Sequence, residues 1–324
     1  MRYPPPGNKH LNPKNRLPLR REHNLFNQMT LSLSMSLFSA RELDLVIYPL
    51  LDKITKQYQK QKAIIIGIQG GPGTGKTTLV KQLAELLKSK GFKVQSFSLD
   101  DFYSSNRERK QLARRYSDNA FYQIPRGMPG THRIGLLKKT LQDIKAGQNF
   151  KIPFFDKSLY NGDGDISPDS REIAERPDFI LFEGWCLGLP LFTLTELKRI
   201  CQRHKVNLQK LDPSGRSTKI LLDFTERYQS CWKLVDYWIQ LIPDFSDLHL
   251  RWRLQQEQEL IQKREQGMSL EQIRQFVSVF LPLTYVCYEK LKANARIKIN
   301  VRHEFYDLKV SKSNFLRPDG NKQI

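Results

Sequence analysis

Residues 64–80 read IIIGIQGGPGTGKTTLV, an apolar run that gives way to glycines and then to a lysine and two threonines. Gly70, Gly71, Pro72, Gly73, Thr74, Gly75, Lys76 and Thr77 fit the spacing G-x-x-x-x-G-K-[ST], and Thr78 follows directly. Only glycine lets the backbone bend so that successive N–H groups converge on one point. Such amides, together with the free N-terminus of a following helix, bind phosphate oxygens. The pattern assigns Lys76 to the β- and γ-phosphates of a nucleoside triphosphate and the Thr77 hydroxyl to Mg²⁺. A glycine-rich turn that happened to contain lysine would have to match all eight positions and both flanking elements by chance.

Two further acidic sites stand where such a phosphate could be used. A second apolar run ends SLDDFY, and its C-terminal end is expected beside that of the first strand, where open α/β sheets bind ligands. Asp100 and Asp101 would then emerge near the terminal phosphate. A hydroxyl that accepts a phosphoryl group needs a carboxylate to orient it and take its proton. The alternative is a pair of turn aspartates or a helix N-cap. A third run ends LFEGW, which puts Glu183 at the tip of a buried strand, the position of the second metal-side carboxylate in phosphate-loop proteins. An unpaired buried carboxylate is costly, so Glu183 requires a cation or a donor: Mg²⁺, or a lysine or arginine in a salt bridge. Arg251 and Arg253, in LHLRWRLQQEQ, are two residues apart on one helix. One of them could fold over the phosphates as a lid arginine; the other reading is a surface arginine near Glu257.

The elements that must position these residues follow from hydrophobic periodicity. Ser39 and Glu42 have capping-box spacing, and Leu43, Val46, Ile47, Leu50, Leu51 and Ile54 share one helical face. Ala63–Ile68 reads as a strand buried on both faces. An amphipathic helix then runs from the glycines to Gly91. Residues 93–99, 178–185, 237–242 and 296–301 read as strands. Residues 104–134 read as a helix and an irregular loop, 136–146 as a helix and 151–170 as loop. Helices are expected over 248–266 and 270–294, with Gly267 ending the first, Ser269 and Gln272 capping the second and Pro282 interrupting it. Strands alternating with helices predict a mostly parallel sheet covered on both faces.

The 324 residues are 39% hydrophobic and 27% charged, as in a chain that buries a sizeable core, and no apolar run approaches membrane-spanning length. The four cysteines show neither metal-ligand spacing nor a disulfide framework, which favours a reducing compartment. The net charge of +20 favours anionic partners. The cations are interspersed with Gln and Glu, and this reads as a basic solvated surface rather than a dedicated nucleic-acid site. Residues 1–28 are Pro-rich and basic with Glu22 as their one acid, so 1–38 is expected to be a disordered extension, with Met29 and Met35 as alternative starts. Its interrupted apolar character argues against a secretory signal and leaves an organellar transit peptide open. The expected location is cytoplasmic, or organellar if that segment is a transit peptide. Residues 39–310 read as one domain and 311–324 as a tail.

After the glycine loop, SLDDFY, RGMPGTH (126–132), PFFDKS (153–158), LFEGWCLG (181–188) and RWRLQQE (251–257) occur in order. Over roughly residues 40–310 the chain resembles the D-glycerate 3-kinases of the plant and cyanobacterial type, in the wider group of uridine kinase, pantothenate kinase and phosphoribulokinase. The resemblance implies an α/β P-loop kinase fold of three layers, with a mostly parallel sheet of about five strands and helices on both faces. It implies ATP and Mg²⁺ as cofactors, D-glycerate as the small-molecule partner, and no membrane or nucleic-acid partner. Asp100 then matches the catalytic base, with Lys76 and Arg253 acting on the phosphates. Asp101, Tyr103, Arg126, His132, Lys157 and Ser158 fall in segments that would line the acceptor site, where an Arg or Lys clamp suits a carboxylate. One departure stands out. The family pattern after DKS carries arginines around G-x-G-D; here Gly162, Gly164 and Asp165 persist, but Asp163 and Ile166 occupy the flanking positions. The alternatives are a kinase of another small hydroxylated acceptor, such as a nucleoside or pantothenate, and a non-kinase P-loop protein with affinity for nucleic acid.

Overall fold

The apolar run that leads into the glycines is a strand, β1 (Ile64–Gly70), buried at every position. The remaining strands are β2 (Val94–Ser98), β3 (Phe150–Asp156), β4 (Asp165–Ile173), β5 (Phe179–Gly184), β6 (Tyr237–Pro243), β7 (Ala295–Ile299) and β8 (Phe305–Val310). The computed structural model describes residues 36–245, 248–264 and 269–311. The expected extension over 1–38 and the tail over 311–324 fall almost wholly outside the described residues. One compact unit comprises Arg41–Ile324, and its fold is the one that follows.

Six strands form the main sheet in the order β2-β5-β1-β6-β7-β8. The first five are parallel, and β8 pairs antiparallel with β7. Both β1 and β5 consist of buried residues except for Glu183, as parallel strands covered on two faces must be. The helices are α1 (Tyr48–Thr55), preceded by a π-helical turn at Leu43–Ile47, α2 (Lys76–Ser89), α3 (Asn106–Arg115), α4 (Ile134–Ala146), α5 (Leu194–Arg203), α6 (Arg216–Trp232), α7 (Leu248–Arg264) and α8 (Leu270–Lys290). One hydrophobic cluster joins sheet residues such as Ile65, Phe97 and Phe182 to Leu137 and Leu141 of α4, Leu221 of α6 and Leu283 of α8.

Three expectations need correction. First, β2 does not lie beside β1. β5 enters between them, with Glu183 level with Ile68 on one side and Ser98 on the other. Chain order does not set strand order, because a crossover can return to either flank of a strand already placed. Second, residues 151–170 are not a loop. They contain most of the antiparallel hairpin β3–β4, whose register shifts between Pro153 and Phe155. Pro153 has no N–H to give the ladder, and the shift accommodates it. Third, Pro282 does not break the last helix. α8 runs through it, with Pro282 buried. Three helices in 188–236, namely α5, α6 and a single turn at Leu208–Leu211 between them, and strand β8 extend the sequence reading.

Candidate active site

The glycine loop joins β1 to α2. Gly73 and Gly75 lie in the left-handed region, at φ 77° and 82°, where an L side chain is strained. Behind the loop stand three side chains from distant helices. Tyr288 of α8 accepts the Gly71 N–H at 3.0 Å. Its hydroxyl lies 3.2 Å from His249 Nε2, and His249 Nδ1 lies 3.0 Å from the Pro72 carbonyl. A carbonyl can only accept, so Nδ1 carries the proton and Nε2 receives the Tyr288 O–H. Burial pushes the His249 pKa down to about 4, so the ring is neutral at physiological pH. A Cβ added to Gly71 would come within 2.2 Å of His249 Cε1, and one on Gly73 within 2.9 Å of Trp252 Cβ. The loop is thus pressed against α7 and α8 with no room for larger residues.

Within the loop, Thr74 Oγ1 donates to the Gly71 carbonyl at 2.9 Å, and Lys76 Nζ donates to the same carbonyl at 3.1 Å. Burial pushes the Lys76 pKa down, against the opposing charges of Glu183 and Asp100. Thr77 and Thr78 are the second and third residues of α2. Thr77 Oγ1 donates to Glu183 Oε1 at 3.1 Å. This places a hydroxyl and a carboxylate oxygen together at the mouth of the loop. Among the described residues no group of three His, Cys, Asp or Glu side chains converges on one point. The pair fits Mg²⁺ that takes its remaining ligands from phosphate oxygens and water, the usual way this ion is held beside a nucleotide.

Asp100 and Asp101 sit in a 3₁₀ turn, Leu99–Phe102, at the end of β2. The Asp101 carboxylate accepts the Ser98 N–H at 2.8 Å, closing a capping box. The Asp100 carboxylate instead accepts from Lys157 Nζ at 2.6 Å. Burial alone would raise the Asp100 pKa. Lys157, with help from His132 and Tyr103, outweighs it, and the carboxyl lies below its ordinary value.

Around this carboxylate the structure gathers Tyr103, His132 and Lys157. Tyr103 and His132 stack at 4.4 Å, and Phe155 of β3 stands edge-on to Tyr103 at 5.0 Å. Lys157 follows β3 directly, so the hairpin missed in the sequence is the element that carries it. Ser158 is turned toward Asp156, its N–H and Oγ both donating to Oδ1 at 2.8 and 2.6 Å. Arg126 donates to the carbonyls of Gly162 and Asp163 at 2.5 and 3.0 Å, which ties the RGMPGTH loop to the hairpin turn. Arg253 of α7 lies over the ring of Phe276, its Cζ 5.7 Å from the centroid. His249, Trp252 and Tyr288 escaped the sequence reading. Their segments carried helical periodicity but no local mark of a loop more than 170 residues away.

Comparison with known proteins agrees with this geometry. Residues 65–191 match the model of the phosphoribulokinase / uridine kinase family. An uncharacterized kinase of Schizosaccharomyces pombe is 33% identical over 250 residues, 74% of this chain and 87% of that protein. The chloroplastic D-glycerate 3-kinase of Arabidopsis thaliana is 34% identical over 227 residues, 68% of this chain but 46% of that protein. The solved D-glycerate 3-kinase of Cryptococcus neoformans superposes with a TM-score of 0.71 at 25% identity, covering 82% of this chain and 96% of that one. The chain belongs to the phosphoribulokinase/uridine kinase family of P-loop kinases, and within that group it resembles the D-glycerate 3-kinases.

Proposed function

We propose that this kinase transfers the γ-phosphoryl group of ATP to the 3-hydroxyl of D-glycerate, giving 3-phosphoglycerate and ADP. The observation that carries the reading is the Asp100 carboxylate. It stands at the same sheet end as the glycine loop, with only β5 between, and Lys157 favours its ionised form. Gly70–Thr78 would hold the triphosphate, and Thr77 with Glu183 would hold Mg²⁺. When bound, that ion neutralises phosphate charge. Asp100 accepts the proton of the attacking hydroxyl, and the oxygen–phosphorus bond to ADP breaks as the new one forms. Lys157, hydrogen-bonded to Asp100, would pair with the carboxylate of a hydroxy acid. Arg253 of α7, over the Phe276 ring, would act on the phosphates as the lid arginine.

Glycerate as the acceptor is supported by the names of the plant and fungal relatives and by the cation beside the base. The test is ADP release with and without D-glycerate, alongside pantothenate and a nucleoside, with NMR of the product to locate the phosphate. Acceptor-dependent ADP with D-glycerate and phosphate on carbon 3 is the expected result. ADP release driven only by another member of the panel would replace glycerate and keep the kinase. Asp163 and Ile166, in place of the family's arginines, favour that second reading if those arginines touch the acceptor.

A further inference from the structure

We propose that Tyr228 fixes His132 as an Nε2–H donor, and that this donor receives an oxygen of the acceptor other than the one phosphorylated. The inference rests on the kinase reading above and specifies how the same site recognises its acceptor.

His132 is 6% exposed. On one edge its Nδ1 lies 2.8 Å from the hydroxyl of Tyr228 on α6. That hydroxyl also accepts the Gly130 N–H at 3.0 Å. A phenolic oxygen has a single proton to give. With Gly130 donating into it, the arrangement that satisfies all three groups sends the Tyr228 proton to Nδ1. The proton of a neutral imidazole must then sit on Nε2. Burial supports the neutral form, pushing the His132 pKa down to about 4.

Nε2 is buried and has no hydrogen-bond partner among the described residues. More than about 90% of buried polar groups in folded proteins are paired, so such an atom calls for an explanation. Its surroundings supply one. Tyr103, three residues after Asp100, stacks on the His132 ring, and the Asp100 charge acts on that ring. The ring that carries the donor therefore belongs to the same cluster as the proposed base. The loop that carries it is rigidly placed: Gly130 has φ +100°, and a Cβ there would come within 2.8 Å of the Phe224 ring. A donor needs an oxygen with a free lone pair. The reacting hydroxyl is oriented by Asp100, so the Nε2 partner is a second oxygen. In a hydroxy acid that is the carboxylate or the neighbouring hydroxyl. Tyr228 is a positioning residue, acting only through His132.

Three measurements on the full-length chain test this. In protein labelled with ¹⁵N-histidine and free of acceptor, long-range ¹H–¹⁵N correlation should show His132 with Nε2 protonated and Nδ1 bare. A protonated Nδ1 overturns the proposal, whatever the acceptor. In kinetics, His132→Phe should raise the acceptor KM about 30-fold with the ATP KM unchanged, as expected for a lost hydrogen bond to a charged or strongly polar group. His132→Gln, which returns an N–H near the Nε2 position, should recover most of that loss, and Tyr228→Phe should raise the acceptor KM about 10-fold. An unchanged acceptor KM in His132→Phe, or equal rises for acceptor and ATP, overturns it. Should Tyr228→Phe fail to fold because Gly130 loses its partner, the two His132 variants and the tautomer decide. Finally, 3-hydroxypropanoate lacks the 2-hydroxyl and glycerol lacks the carboxylate. The wild-type advantage over His132→Phe should vanish for the analogue missing the oxygen that His132 binds; an advantage kept in full with both overturns the proposal. If D-glycerate is not turned over, the same ratios are read on the acceptor that is, so failure of the glycerate reading and failure of this inference remain distinct.

Discussion

Asp100 and Asp101 have the same side chain and adjacent positions, yet the turn gives them different work. Asp101 closes a capping box on Ser98, while Asp100 faces Lys157 and Tyr103. Asp100→Asn should therefore lower kcat by about 10²- to 10⁴-fold, the range of a lost general base, and leave ATP affinity intact by calorimetry. An undiminished kcat removes Asp100 as base. The charge pair also sets a pH dependence. Lys157 and its neighbours hold the Asp100 pKa below its ordinary 3.8, so the carboxylate is ionised, and its contribution to stability fully present, above that value; both are lost as pH falls through the lower folded pKa. Removing the cation leaves burial as the main influence, and burial raises the pKa. Lys157→Met should move the acid limb of the kcat/KM profile upward in pH; a limb that stays or moves down contradicts the pairing. At this scale the sequence put forward Lys76, Thr77, Glu183 and Asp100 as candidates, because strand ends and glycine spacing are local. Residue type and spacing could not separate Asp100 from Asp101, which only the resemblance did, since the cap depends on which carboxylate bends back to Ser98. Nor could they show Tyr288 and His249, which meet the loop only through tertiary packing.

At the level of elements, the hairpin β3–β4 brings Lys157 to the base, and Arg109 of α3 holds the turn of that hairpin. Arg109 is 5% exposed. Its guanidinium donates to the Pro125 carbonyl at 2.9 Å, to Asp163 and Gly164 each at 2.7 Å, and to Ser104. It also lies over the Phe155 ring, 4.8 Å from the centroid. One side chain thus joins the segment after Asp100, the RGMPGTH loop and the hairpin turn. Arg109→Met removes these bonds together, leaving Asp163 and Gly164 with only Arg126 and Asn106 as donors, at a cost of about 3 kcal/mol in unfolding free energy. Because the loss falls on the acceptor side, the acceptor KM should rise while the ATP KM holds, and amides of 157–165 should exchange faster. Equal exchange in both proteins would place the hairpin's support elsewhere. The sequence concealed this element because Pro153, Gly162 and Gly164 are loop signals when read locally, and the register shift that absorbs Pro153 exists only once two strands pair. The parallel sheet was legible from its buried runs. The insertion of β5 between β1 and β2 was not, since periodicity says nothing about neighbours.

Over the whole molecule, the net charge of +20 and a pI near 9.8 act on anything anionic that approaches. Among the described residues no helix is long and apolar enough to cross a membrane. Both substrates of the proposed reaction are anions, and their encounter and binding should be screened by salt. Raising ionic strength from about 0.01 M to about 0.15 M shortens the Debye length from about 30 Å to about 8 Å. Over that range kcat/KM for D-glycerate should fall on the order of 3- to 10-fold, because steering by distant cations is lost. Glycerol carries no charge, and at saturating ATP its kcat/KM should barely respond. The contrast between the two acceptors isolates the field felt by the carboxylate from general effects of salt on the enzyme. A parallel decline for both would assign the salt effect to nucleotide or fold, and no decline for either would leave the charge without a role in capture. Salt-sensitive retention of RNA, with no acceptor-dependent ADP release, would instead make polyanion binding the purpose of the basic surface. The ladder of outcomes turns on whether the field converges on Lys157 and Lys76, the cations that sit where the chemistry is proposed to occur.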